Sequence, residues 1–205
     1  MTAMATLADC KAYAGVSSPN ADPIMQSILD ASALAFASYC NKDSFFSTTY
    51  TEYRDGTGGN RMILGNTPMT AVSAVVIDGQ SIPASVGNGP GYFFPMGGRM
   101  VGLRGYVFNA GFRNVQITYT AGFNDPNNLF PLPADLIMAT KMYVSYRYRE
   151  RERLGISAKS LAGESVTYSG ESAGGNSTLG TISGMPAAAA NILENYMNMV
   201  PESGV

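Results

Sequence analysis

The chain has 205 residues, 45% of them hydrophobic and 14% charged, with a formal net charge of −2. This length sets one domain or two small ones with a core that needs no disulfide or metal staple, and the charge balance excludes an overall electrostatic clamp for nucleic acid. Histidine is absent and only two cysteines are present, which excludes His-dependent nucleophile systems, His-containing metal sites and a four-cysteine site within one chain.

Residues 6–15 read as a short helix, with Thr6 placed to cap it and Gly15 to stop it. Asp22-Pro23 opens the first long helix, Asp22 as N-cap and Pro23 at the first helical position. Met25, Leu29, Ala33, Phe36 and Cys40 then recur at near-helical spacing to about Lys42 and predict a core stripe. Cys10 and Cys40 both fall in apolar helical segments, without CxxC spacing, and read as buried free thiols. No stretch approaches the roughly 18 apolar residues of a membrane span.

From Phe45 the period changes. Tyr50 to Arg54, the run Asp55-Gly-Thr-Gly-Gly59 and Arg61 to Leu64 predict a hairpin turning on glycines. Val72–Ile77, Tyr92–Pro95, Met100–Leu103 and Val115–Thr120 add strands. After Pro131 and Pro133, Ala134–Arg153 reads as the second long helix, ending in alternating arginine and glutamate. Residues 163–184 hold six Gly and five Ser without Lys or Arg, a linker-like composition. A last helix, about Pro186 to Met199, carries Ile192, Tyr196 and Met199 on one face.

The fold class expected is α+β: a helical bundle formed from both chain ends with a β-rich insertion in the middle. The divisions are 1–44 for the N-terminal helices, 45–125 for the insertion, 134–160 for the long helix, and 161–205 for a flexible Gly/Ser-rich arm with the C-terminal helix. Residues 134–160 carry six basic and three acidic groups, a net of +3, and residues 161–205 carry none and four, a net of −4. A basic helix and an acidic tail can complement each other within one subunit or between copies.

No catalytic, cofactor-binding or metal-ligating set emerges. Gly56-Thr-Gly58-Gly59 lacks the Lys and Ser/Thr of a phosphate loop and reads as a glycine turn. Glu52, Asp55 and Asp78 are the acidic candidates for glycosidic cleavage and read as exposed strand and turn carboxylates. Arg147, Arg149, Arg151 and Arg153 could touch phosphates, but alternation with Glu150 and Glu152 favours a salt-bridged face within or between subunits, and packing at a subunit interface is the role expected of the four arginines. Val166, Tyr168, Leu179 and Ile182 are sparse apolar anchors in the Gly/Ser-rich segment and suit docking on a partner or neighbouring copy.

The order of these signals resembles the bacteriophage head–tail connector (adaptor) proteins of long-tailed phages. It runs from Thr6-Leu-Ala-Asp-Cys-Lys-Ala-Tyr13 and Ala37-Ser-Tyr39 through Tyr53-Arg-Asp55-Gly-Thr-Gly-Gly59 and the Asp78-Gly79 turn. Val115-Gln-Ile-Thr-Tyr-Thr-Ala-Gly122, Leu132-Pro-Ala-Asp135-Leu and Gly155–Tyr168 continue it. The resemblance implies a non-enzymatic structural virion protein, synthesised in the host bacterial cytoplasm and placed in the neck. It implies a ring, typically of twelve copies, docked on the portal protein and offering a platform to a downstream neck or tail-completion protein. DNA would pass through its channel without sequence-specific binding, and neither cofactor nor membrane is implied. The alternatives are a neck-associated cell-wall-degrading enzyme and a β-type carbohydrate-binding module.

Overall fold

The computed structural model describes residues 3–151, 158–161, 164–167, 181–182 and 184–197. Helices and antiparallel sheets make it an α+β protein. The described residues divide into two compact units, one drawn from 1–41 and 132–197, the other from 42–131.

In the first unit, helix α1 (Leu7–Ala14) starts where Thr6 Oγ1 accepts from the Asp9 N–H at 3.1 Å. It stops at Gly15, whose φ of 69° is the left-handed value glycine tolerates. A 3-10 turn (Pro19–Ala21), capped by Ser18, leads into α2 (Asp22–Tyr39). Asp22 is therefore the first residue of α2 and not its cap: its carboxylate is taken by an ion pair with Lys11.

The α2 stripe is Met25, Leu29, Ser32, Phe36 and Ala37, with Cys40 buried just beyond the helix. Ser32 takes the buried place expected of Ala33, which a hydroxyl can do because it donates to the Leu29 carbonyl at 2.6 Å. Helix α3 (Ala134–Glu150) buries Leu136, Ala139, Thr140, Tyr143 and Val144, a helical stripe. Phe36 meets Tyr143 edge to face, ring centroids 5.5 Å apart at 71°. Helix α4 (Ala187–Glu194) buries Ala189, Ala190 and Leu193. The expected face of Ile192 and Tyr196 is only half-buried, because Leu193 is the bulky residue that this short helix turns inward; Met199 lies outside the described residues.

The second unit stacks two antiparallel sheets. Strands β1 (Thr48–Gly56), β7 (Gly111–Ala121), β3 (Met69–Ile77) and β4 (Gln80–Ile82) form one sheet in the order β1-β7-β3-β4. Strands β2 (Arg61–Ile63), β6 (Met100–Arg104) and β5 (Gly91–Phe93) form the other in the order β2-β6-β5. Their inward residues, among them Val75, Val101, Leu103, Val115, Ile117 and Tyr119, make one buried core with Leu64 and Phe108 of the connecting segments.

The hairpin expected over residues 50–64 does not form. β1 pairs with β7, and β2 pairs with β6. The glycine run still turns the chain, but it hands it from one sheet to the other. Gly56 sits so close to β7's approach that a Cβ would fall 1.7 Å from the Asn109 carbonyl oxygen.

Past α3, β8 (Ala158–Leu161) pairs with β9 (Glu164–Thr167), and β10 (Thr181–Ile182) with β11 (Met185–Pro186), immediately before α4.

Candidate assembly surfaces

The basic end of α3 is built from a helix whose buried stripe stops at Ser145 while Arg147 and Arg149 occupy its last turn. Cations there complement the helix dipole. Arg147 and Arg149 are exposed. Arg149 Nη2 donates to the Ala14 carbonyl at 3.1 Å, one of the carbonyls that α1 leaves without a helical partner at its C-terminus. Arg151 lies over the ring of Tyr148, 3.7 Å from its centroid, and donates to that residue's carbonyl. Arg153 lies outside the described residues. Sequence spacing alone misses the Arg149 contact, because the accepting carbonyl is 135 positions away.

Of the four apolar anchors, Val166 is in β9 and Ile182 in β10, opposite Met185; Tyr168 and Leu179 lie outside the described residues. The Gly/Ser-rich stretch thus contributes a strand to each of two short ladders.

A further tie in the helical unit was not legible in the sequence. The Tyr196 hydroxyl lies 2.7 Å from both oxygens of Asp135, joining the chain just after α4 to the first turn of α3. Burial, followed by that carboxylate, pushes the Tyr196 phenol up from its usual value. Cys10 and Cys40 are fully buried thiols that form no disulfide. Burial, followed by the charge of Asp9, pushes the Cys10 thiol up to about 11, with Lys141 acting in the opposite sense.

The acidic candidates of the β unit hold structure. Glu52 is not exposed: its side chain is 18% accessible. It accepts from Arg54 Nε at 2.9 Å, from the Gly65 N–H at 3.1 Å and from the Tyr119 hydroxyl. Asp55 accepts from the Arg113 N–H at 2.6 Å. Asp78 accepts from Asn109 and Asn114 at 2.7 and 2.9 Å, which lowers its pKa. The glycine run is similarly committed. Gly58 N–H donates to Phe108 O at 2.7 Å and Gly56 N–H to Asn114 Oδ1 at 2.9 Å, so neither amide is turned to a phosphate. Among the described residues no group of three or more His, Cys, Asp or Glu is placed to hold a metal ion. No helix among them is long and apolar enough to cross a membrane.

The outward face of the larger sheet presents hydroxyl pairs and an aromatic–cation contact. Thr49 and Thr51 meet Thr120 and Thr118 hydroxyl to hydroxyl at 3.2 Å, and Tyr53 carries the Arg113 guanidinium 5.5 Å from its ring centroid.

Comparison with known proteins gives this architecture its context. The chain is similar over its whole length to a protein in the neck of an empty gene transfer agent particle computed with C6 symmetry. There the identity is 17%, the coverage 100% of this chain and 96% of that one, and the TM-score 0.55. It is also similar to a chain of the virion of a native gene transfer agent particle, at 18% identity, 97% and 91% coverage and a TM-score of 0.54. At these identities the likeness is one of fold. No curated protein matches the chain at a significant level. The profile of the head completion proteins, however, matches residues 3–200. The chain therefore belongs to the head completion protein family, and is a structural head–tail connector protein of the virion.

Proposed function

We propose that copies of this chain form a ring of twelve in the virion neck, docked on the portal protein, that extends the DNA channel and receives a downstream neck or tail-completion protein. In this reading the helices from the two chain ends form one bundle that serves as the ring wall, and the β unit is an insertion carried on it. The role is mechanical, with no bond made or broken. The observation that carries the reading is the family match over nearly the whole chain, residues 3–200. The fold likeness to a chain in a particle neck supports the same placement.

The basic end of α3 supplies packing contacts between copies. Each guanidinium has five N–H donors, and the Ala14 carbonyl engages only one group of Arg149, so carboxylates of a neighbour can meet the rest. Val166, Tyr168, Leu179 and Ile182 anchor the arm on the portal or on the next copy. The net charge of −2 suits a conduit, because a strongly basic bore would retain DNA through phosphate contacts.

Electron microscopy and native mass spectrometry of the purified protein, with and without portal rings, test this. Closed rings whose mass is a multiple of the chain, seated on the portal, are expected. A monomer that ignores the portal refutes the proposal. So does submicromolar binding of the free protein to duplex DNA at physiological salt.

A further inference from the structure

The larger sheet treats its two edges differently. The β4 edge is three residues long and is followed by Pro83, both recognised ways of blunting an edge. The β1 edge runs for nine residues, with β7 on one side and no strand on the other among the described residues. It carries neither proline nor lysine, and its pairing with β7 is regular from Thr48 to Arg54, the one register shift coming after that. Its charged side chains are turned to internal work, Glu52 to Arg54, Gly65 and Tyr119, and Asp55 to Arg113.

The inward face shows the same incompleteness. Val115, Ile117, Tyr119 and Ala121 of β7 are fully buried. Tyr50, Glu52 and Arg54, on the same face one strand out, are only half-buried. Cover thus runs out at β1, and a further strand beyond it would complete both the backbone ladder and the burial of Tyr50.

The chain also carries a ladder in need of a sheet. Among the described residues β8 and β9 pair only with each other, and an isolated two-stranded hairpin is marginal in water. We propose that β9 (Glu164–Thr167) of one copy lies along β1 of the next, extending the neighbour's sheet by the hairpin. This rests on the ring reading above: a head-to-tail interface brings two different patches of one chain together, and a single operator repeats the match around the ring. Main-chain hydrogen bonds along the edge supply affinity, and the β-branched Val166 and Thr167 favour the extended state.

Paired cysteines test the contact, with Thr49→Cys or Thr51→Cys combined with Ser165→Cys or Thr167→Cys to cover the possible registers. Cys10 and Cys40 are fully buried and can stay. Mild oxidation of rings on the portal should convert at least one pair into a ladder of multiples of the chain on a non-reducing gel. Ser81→Cys in β4, paired with the same partners, should give none. Amide exchange of 48–54 and 164–167 should slow by at least about tenfold in rings relative to free subunits. Intact rings with every pair uncrosslinked and both segments exchanging fast overturn this contact while leaving the ring standing. A cross-link confined to single chains also overturns it, and failure to form any ring overturns both readings.

Discussion

The Tyr119 hydroxyl donates to Glu52 and accepts from the Asn66 N–H at 3.1 Å, so a fully buried phenol joins two strands to the loop between β2 and β3. Tyr119→Phe should cost about 1–3 kcal/mol, since it leaves the buried Asn66 N–H without its acceptor and takes one of three donors from the half-buried Glu52. Chemical denaturation of the two proteins measures the difference.

The same phenol sets an alkaline limit. Burial first, and then the bond to Glu52, hold the Tyr119 pKa above its ordinary 10.0. The folded state therefore grips this proton more tightly than the unfolded chain does. The group's contribution is complete below pH 10.0 and is lost as pH rises towards and through the folded value. Melting temperature should fall with pH in that range, and less steeply in Tyr119→Phe.

Phe36 is fully buried and meets Tyr143 edge to face. Phe36→Ala should cost about 3–5 kcal/mol as a core deletion. A loss below about 1 kcal/mol in a denaturant titration would mean the site is not part of a packed core.

Arg149→Ala should loosen α1, removing a cation and a donor from its C-terminal carbonyls at a cost of about 0.5–1 kcal/mol. Arg149→Lys should recover part of that through its charge. Hydrogen exchange of the α1 amides reads the effect.

Gly56→Ala should cost about 1–3 kcal/mol, because its Cβ would collide with the Asn109 backbone. Gly59→Ala makes a fair control: its Cβ would meet only Thr57 Oγ1 at an ordinary 3.5 Å, and the change should stay within about 0.5 kcal/mol. Thermal melts of the pair give the comparison.

What could be read from the sequence was what is local. Thr6 and Gly15 lie within ten residues of each other and bound α1, and the spacing of Met25, Leu29, Phe36 and Cys40 gives the buried face of α2. Asp22 was misread because Lys11, eleven positions back, competes for its carboxylate. The 50–64 hairpin was misread for a similar reason. Glycines announce that the chain turns, but which strand receives it depends on β6 and β7, whose residues come much later. Glu52 could not be recognised as half-buried without Tyr119, 67 positions away. The assembly surfaces were legible only as composition: an arginine-rich helix end was visible, but not that the Ala14 carbonyl holds Arg149.

The two ends of the β unit are tied to each other. Phe123 donates to the Phe45 carbonyl at 2.7 Å and accepts from the Ser47 N–H at 2.8 Å. For the helical unit this has an entropic consequence. Cys40 must come to rest against the Leu193 carbonyl, 153 positions along the chain, and closing so long a loop in a flexible chain slows folding. Once the β unit has condensed, the path from α2 to α3 behaves as a short connection, because its interior no longer wanders. On the ribosome the β unit is also synthesised before α3, so it can fold while the helices still wait for their partners. Weakening the Phe45–Phe123 pairing should therefore delay the helical unit's folding more than it lowers its final stability.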